Sequence, residues 1–206
     1  DNILSETRYK IFYVSPKIIR NCIFQSKYVD YTQFNSDKLH PHAGMDRGVF
    51  KEDPLGCVKI NNLNWDYKAG VSFSKLPEYK ALSNHYTGRE NWRKSYFANR
   101  YIQYLKINKI KNDRKISNLK NYLSIREKQI DKLFNSILKK GIYPVNKRLF
   151  NDNISVCLTK DKKLYFNNRG HHRLSIAKIL DLKEIPIKIT LAKSKKILEK
   201  FYLKTK

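Results

Sequence analysis

The sequence predicts a mixed α/β (α+β) fold: a small mixed sheet with packed helices and a helical insertion. Three observations carry this expectation. Short apolar runs rich in β-branched or aromatic residues stand at Ile154–Leu158, Leu164–Phe166 and Ile185–Leu191, where strands are favoured. Between and around them lie stretches whose apolar residues recur at three- and four-residue steps, the period of a helix with one buried face. The chain has 206 residues, 41% of them hydrophobic and 30% charged, enough for one good-sized core.

Taken in chain order, Arg8–Val14 is rich in β-branched and aromatic residues and reads as a strand. Ser15-Pro16 then opens a short helical turn, since proline is tolerated at the first helical position. Residues 25–70 hold turn formers (Asn35-Ser36-Asp37, His40-Pro41-His42, Asp53-Pro54) among irregularly spaced aromatics, so a long excursion is expected, with a short strand at Val58–Ile60. A helix is predicted over 74–86, with Ser74 as cap, Pro77 in the first turn, and Tyr79, Leu82 and Tyr86 on one face. A second is predicted over 89–107 from Trp92, Tyr96, Phe97, Tyr101 and Leu105; this aromatic stripe is a core face or a base-stacking surface.

A basic link at 108–116 leads to a long helix from a Ser117 cap to Lys140, its buried side marked by Tyr122, Ile125, Ile130, Leu133, Phe134, Ile137 and Leu138. Gly141 is its natural stop, with Pro144 just beyond. The remainder reads as strand (154–158), tight turn (160–163), strand (164–166), loop, helix (171–180), strand (185–191) and a basic helix (194–203). The expected organisation is residues 1–24 as part of the core, 25–116 as an elaboration or insertion with aromatic helices, and 117–206 as the main core.

The net charge of +25, from 43 basic and 18 acidic residues, should draw in polyanions such as nucleic acid, anionic lipid or acidic glycans. Codon bias in an A/T-rich gene is the competing source of the lysines, though it does not account for the scarcity of acids. Residues 105–148 contain 13 basic and 3 acidic side chains, and residues 188–206 contain 7 and 1. These runs are either solvated faces or anion-facing surfaces. Cys22, Cys57 and Cys157 are too scattered for a disulfide framework or paired zinc motif and read as buried free thiols in a reducing cytosol. No apolar run is long enough to span a membrane. The opening residues lack the basic and apolar regions of a signal peptide, so a cytoplasmic location is expected.

The chemistry is expected at Asn167-Asn168-Arg169-Gly170, which joins a strand to a helix, and at His171-His172-Arg173, which opens that helix. Free N–H groups and the dipole make a helix start a natural anion site. Gly170 permits a positive φ or close approach of a ligand. Arg173 is poorly placed against the helix dipole unless it grips a bound phosphate or pairs with an acidic neighbour. Arg169, Gly170, His171, His172 and Arg173 are therefore the phosphate- or nucleotide-binding candidates, with His172 and His171 as acid–base groups near neutral pH. Adjacent helical side chains diverge by about 100°. The two histidines thus form no i, i+4 metal pair, and with no Cys/His cluster nearby, no metal site is predicted.

Gly170-His171-His172-Arg173, followed by the run Leu174 to Ile189 (LSIAKILDLKEIPIKI), resembles the ParB/sulfiredoxin superfamily. Its members carry a G-x-x-R or G-x-H-R motif at a strand-to-helix junction, then a helix ending in a Leu-Gly-Leu-like turn and an Ile-Pro-Val strand. The lead-in Leu133–Val145, a helix ending in Gly141-Ile142 with Pro144 beyond, fits the same pattern. The resemblance covers residues 130–191, with a weaker match at Ser15-Pro16. It implies that Gly170, His171, His172 and Arg173 line a phosphate site. It also implies an activity among those of the superfamily: CTP hydrolysis linked to DNA clamping, ATP-dependent sulfinic acid reduction, small-molecule kinase activity on free serine or nuclease action, with ATP or CTP and Mg²⁺ as cofactors. His171 stands where sulfiredoxins place their reactive cysteine, so sulfiredoxin activity is not expected. Arg169 stands where many relatives have Asp, which adds positive charge and removes a carboxylate from any Mg²⁺ shell.

The leading expectation is a nucleotide- or phosphate-binding protein with phosphotransferase or NTPase activity. The alternatives are a basic DNA-binding or ParB-like nuclease protein and an interaction module of a larger assembly. A catalytic carboxylate is not identifiable from the sequence; Asp46, Glu52, Asp53 and Asp66 are candidates.

Overall fold

A computed structural model of the chain describes residues 10–23, 57–62, 71–99, 102, 119–144, 153–167 and 169–204. Seven strands among these form one mixed sheet: β1 (Phe12–Val14), β2 (Asn21–Cys22), β3 (Lys59–Ile60), β4 (Val71–Ser72), β5 (Ile154–Leu158), β6 (Leu164–Phe166) and β7 (Ile185–Ala192). The order is β1-β7-β5-β6-β2-β4, and β3 pairs with β7. Four helices with both ends described pack with it: α1 (Pro77–Tyr86), α2 (Leu119–Lys140), α3 (His171–Ile179) and α4 (Lys195–Lys204). The chain is thus α+β, with a mixed sheet and packed helices.

Residues 12–14 and 21–22 belong to this sheet. β1 runs antiparallel to β7, with Phe12 opposite Ile187, and β2 runs parallel to β6, with Cys22 opposite Phe166. Between them Ser15 caps a 3-10 turn at Pro16–Ile18, accepting from the Lys17 amide. The β5–β6 hairpin is antiparallel, whereas β7 returns parallel to β5 after α3, as a crossover helix permits. β3 is present within the expected segment and adds to β7 parallel, with Lys59 opposite Leu191.

One sheet face carries Ile154, Val156, Leu158, Leu164, Phe166, Ile187 and Ile189. It packs with Leu174 and Ala177 of α3 and Leu198 of α4. Burying each such side chain contributes roughly 1.5–3 kcal/mol. Phe12 meets Phe201 and Tyr202 of α4 edge-on. The alternate residues Ser155, Cys157, Lys188 and Leu191 are buried as well.

Several local expectations need correction. The cap of α1 is Leu76, not Ser74. Ser74 lies in a preceding 3-10 turn (Phe73–Lys75), and Pro77 at the first helical position sets the helix start. Within the predicted 89–107 helix, Asn91 caps a separate 3-10 turn at Trp92–Lys94, and residues 96–99 are helical; Tyr101 and Leu105 lie outside the described residues. Phe97 and Trp92 are buried, but Tyr96 is exposed. On α2, Ile130 and Ile137 are buried as expected, yet Ile125 and Leu138 face outward, and Leu123 packs inward in their place. The proposed Ser117 cap lies outside the described residues. Gly141 ends α2 at φ +72, its amide bonded to the Ile137 carbonyl. All three cysteines are free, but only Cys22 and Cys157 are buried; Cys57 is partly exposed. No described helix is long and apolar enough to cross a membrane.

Candidate functional site

The start of α3 is fixed by hydrogen bonds to β5. Ser155 donates its amide to the Arg169 carbonyl and accepts the Arg169 amide on its hydroxyl at 2.9 Å, while the Asn167 amide bonds to the Ser155 carbonyl. Asn167, buried, donates from Nδ2 to Thr190 Oγ1 at 2.9 Å, and Thr190 donates in turn to the Val156 carbonyl at 3.2 Å. Thr190 is the extra residue where the β5–β7 register slips: Val156 faces Ile189, and Cys157 faces Leu191. This bulge turns the threonine hydroxyl toward the loop.

Gly170 then takes φ +83, and a Cβ there would lie 2.8 Å from the Ile154 Cα. Only glycine meets both the left-handed backbone and the close approach. Gly170 is the N-cap of α3, so no side chain caps the helix, and its first turn has no acid. The first main-chain bond returns from Leu174 to the Gly170 carbonyl at 2.9 Å.

The far end of α3 is equally determined. Asp181 adopts φ +51 where glycine is usual, and the Leu182 and Asp181 amides close a Schellman motif on Ala177 and Lys178. Lys17 pairs with Asp181 at 2.8 Å, and Lys178 reaches the Pro16 carbonyl at 2.6 Å. The N-terminal 3-10 turn therefore docks on α3. Burial pushes the Lys178 pKa down to about 8.

Arg169 is exposed, and Gly170, His171, His172 and Arg173 are half-buried. The two imidazoles turn onto Glu78 in the first turn of α1. His172 Nε2 lies 2.8 Å from Oε1, and His171 Nε2 lies 2.9 Å from Oε2. Their rings do not diverge as helical spacing suggests. The centroids are 4.0 Å apart and tilted by 38°. At the very start of a helix the side-chain torsions have room to bring two neighbours onto one carboxylate.

The His172 contact is a hydrogen bond, whereas the His171 contact is as short but is not one. The Glu78 side chain is only 3% exposed, so its charge depends on these partners. Burial, reinforced by His171 and partly offset by Glu78, pushes the His172 pKa down to about 4. His172 is thus a neutral imidazole at pH 7. An Arg126 guanidinium nitrogen of α2 stands 3.5 Å from His172 Nε2. That nitrogen cannot donate to Glu78 and accept from Arg126 at once; the shorter distance assigns its proton to Glu78.

Glu78 was not singled out in the sequence. An acid in a first turn is ordinary helix chemistry, and nothing local signals that it meets residues more than ninety positions later. Asp46, Glu52, Asp53 and Asp66 lie outside the described residues.

A second carboxylate–histidine cluster joins α1 to α2. Asp131 Oδ1 accepts from Tyr86 at 3.0 Å and lies 3.4 Å from His85 Nε2. The Trp92 amide donates to His85 Nδ1 at 3.3 Å, which places the ring proton on Nε2, facing Asp131. Tyr86 stacks on Phe134 at 3.7 Å, and burial followed by Asp131 pushes its pKa up.

No protein-family model, curated protein or solved structure matches the chain.

Proposed function

We propose that the chain is a ParB/sulfiredoxin-like protein that binds a nucleotide or another phosphorylated ligand at the start of α3. The observation that carries this reading is a helix opening on a left-handed glycine with no side-chain cap and no acid in its first turn, flanked by Arg169 and Arg173. Such a start favours an anion through its amide groups and dipole. Because both imidazoles face Glu78, the amides and the guanidiniums are the phosphate ligands in this reading. Phosphoryl transfer or NTP hydrolysis would then rest on positioning and charge neutralisation. His172, neutral at pH 7, adds no positive charge to the phosphate site.

The test is thermal unfolding of the full chain with nucleoside di- and triphosphates, with and without Mg²⁺. A ligand at 100 times its Kd should add about 2.7 kcal/mol by mass action. The shift should vanish in a folded Arg173→Ala variant. No shift with any nucleotide at millimolar concentration contradicts the reading.

One observation favours a second reading, contact with a nucleic-acid backbone. The two acids of the described α2 are engaged by protein groups, Glu127 by Arg93 at 2.7 Å and Asp131 by Tyr86 at 3.0 Å, while Lys128, Lys132, Lys139 and Lys140 are exposed. If this stripe meets phosphates, replacing three of the lysines with glutamine should reduce the slope of log affinity against log salt by about 3. Affinity unchanged by these replacements rejects this reading.

A further inference from the structure

We propose that Glu78, His171 and His172 form a binding site for a first-row divalent transition metal ion of the Zn²⁺ type. The carboxylate and the two imidazoles present ligand atoms that all lie within 4.8 Å of one another. They come from two packed helices, and the carboxylate is buried rather than part of an exposed acidic patch. Metal–ligand bonds of about 2.0–2.1 Å at angles between square and tetrahedral place neighbouring ligands roughly 2.9–3.4 Å apart. The observed contacts of 2.8 and 2.9 Å are within a few tenths of an ångström of that range.

The geometry of the His171 contact points the same way. A short N···O approach that is not a hydrogen bond is ordinary for two lone pairs aimed at a common ion.

The donor set selects the class of ion. Two imidazoles and one carboxylate suit Zn²⁺, Fe²⁺ or their neighbours better than Mg²⁺ or Ca²⁺, which take oxygen ligands. Three protein ligands leave at least one position for water or a substrate, the pattern of catalytic rather than structural centres. With one carboxylate, a bound dication keeps a net charge of +1 beside the α3 N-terminus and Arg126, so an anion is the favoured occupant of the open position. This inference does not rest on the phosphate reading: metal uptake and the nucleotide shift are separate measurements, and either can fail alone.

The experiment is titration of the full chain, stripped with a chelator, with Zn²⁺ by calorimetry and with Co²⁺ by visible absorption. One equivalent should bind, and Co²⁺ should give the intense bands of a site with fewer than six ligands. His171→Asn and His172→Asn, each checked for folding by circular dichroism, should weaken binding by more than the ~10–100-fold typical of losing an outer partner. Glu78→Gln should do the same if it folds. A double His40→Ala/His42→Ala variant should bind as the wild type does. Three results overturn the proposal: no saturable uptake by the folded wild type, wild-type affinity in a folded His171→Asn or His172→Asn chain, or uptake that disappears only when His40 and His42 are removed.

Discussion

α1 carries a carboxylate–histidine contact near each end, and the two are built differently. Near its end, both His85 nitrogens face protein groups: Nδ1 accepts from Trp92, and Nε2 faces Asp131, which also holds Tyr86. The Asp131 side chain is 42% exposed, so water shares its charge. At its start, Glu78 is buried and faces two imidazoles, of which one contact is a hydrogen bond and the other is not. The first cluster is what a satisfied structural network looks like. The second holds a charge in a low-dielectric setting beside an uncapped helix start, the kind of arrangement from which functional sites are made. Burial of the carboxylate and convergence of the rings separate the two, and sequence distance does not.

The largest effect expected from a single change is at Gly170, on which only the second cluster depends. Gly170→Ala must place a side chain at φ +83 and 2.8 Å from the Ile154 Cα. Left-handed strain and overpacking together cost on the order of 2–5 kcal/mol, read from the urea unfolding midpoint. A loss below about 0.5 kcal/mol means that the α3 start is not held against β5 as described.

The carboxylates come next. Glu78→Ala removes the partner of two half-buried imidazoles and should cost about 2–4 kcal/mol, whereas Asp131→Ala should cost about 1 kcal/mol or less, because its site is partly solvated. Equal losses, or the reverse order, would erase the distinction between the clusters.

A pH dependence is expected at the other end of α3. The folded-state pKa of Lys178, about 8, lies below its ordinary 10.5. The unfolded chain therefore binds more protons between these values, and stability contributed by this residue should rise as pH increases through that window. Lys178→Met should flatten this part of the profile. An unchanged slope rules out the depressed pKa.

Much of the frame was legible in the sequence, because it rests on local chemistry. β-branched runs at Ile154–Leu158 and Ile185–Ala192, Ser15 before Pro16, and Gly141 after a helical period each act through their own residues. The features that shape the site are not local. The outward turn of Ile125 and Leu138 depends on which neighbours α2 meets, and the bulge at Thr190 depends on strand pairing. Gly170 and Arg173 could be picked out as unusual for their places, but Glu78 could not, since it obeys every rule of a first-turn acid. The adjacency of His171 and His172 even argued against a shared partner, because ideal helical spacing says nothing about torsions at the first two positions.

In the proposed reading the α3 start is the ligand site and the His85 cluster is structural. Imidazole ¹H–¹⁵N spectra of the full chain, recorded while a nucleoside triphosphate and Mg²⁺ are added, test it most directly. The His171 and His172 resonances should move with saturation while His85 keeps the shifts of an Nε2-protonated ring. Movement of His85 with His171 and His172 unchanged would contradict it.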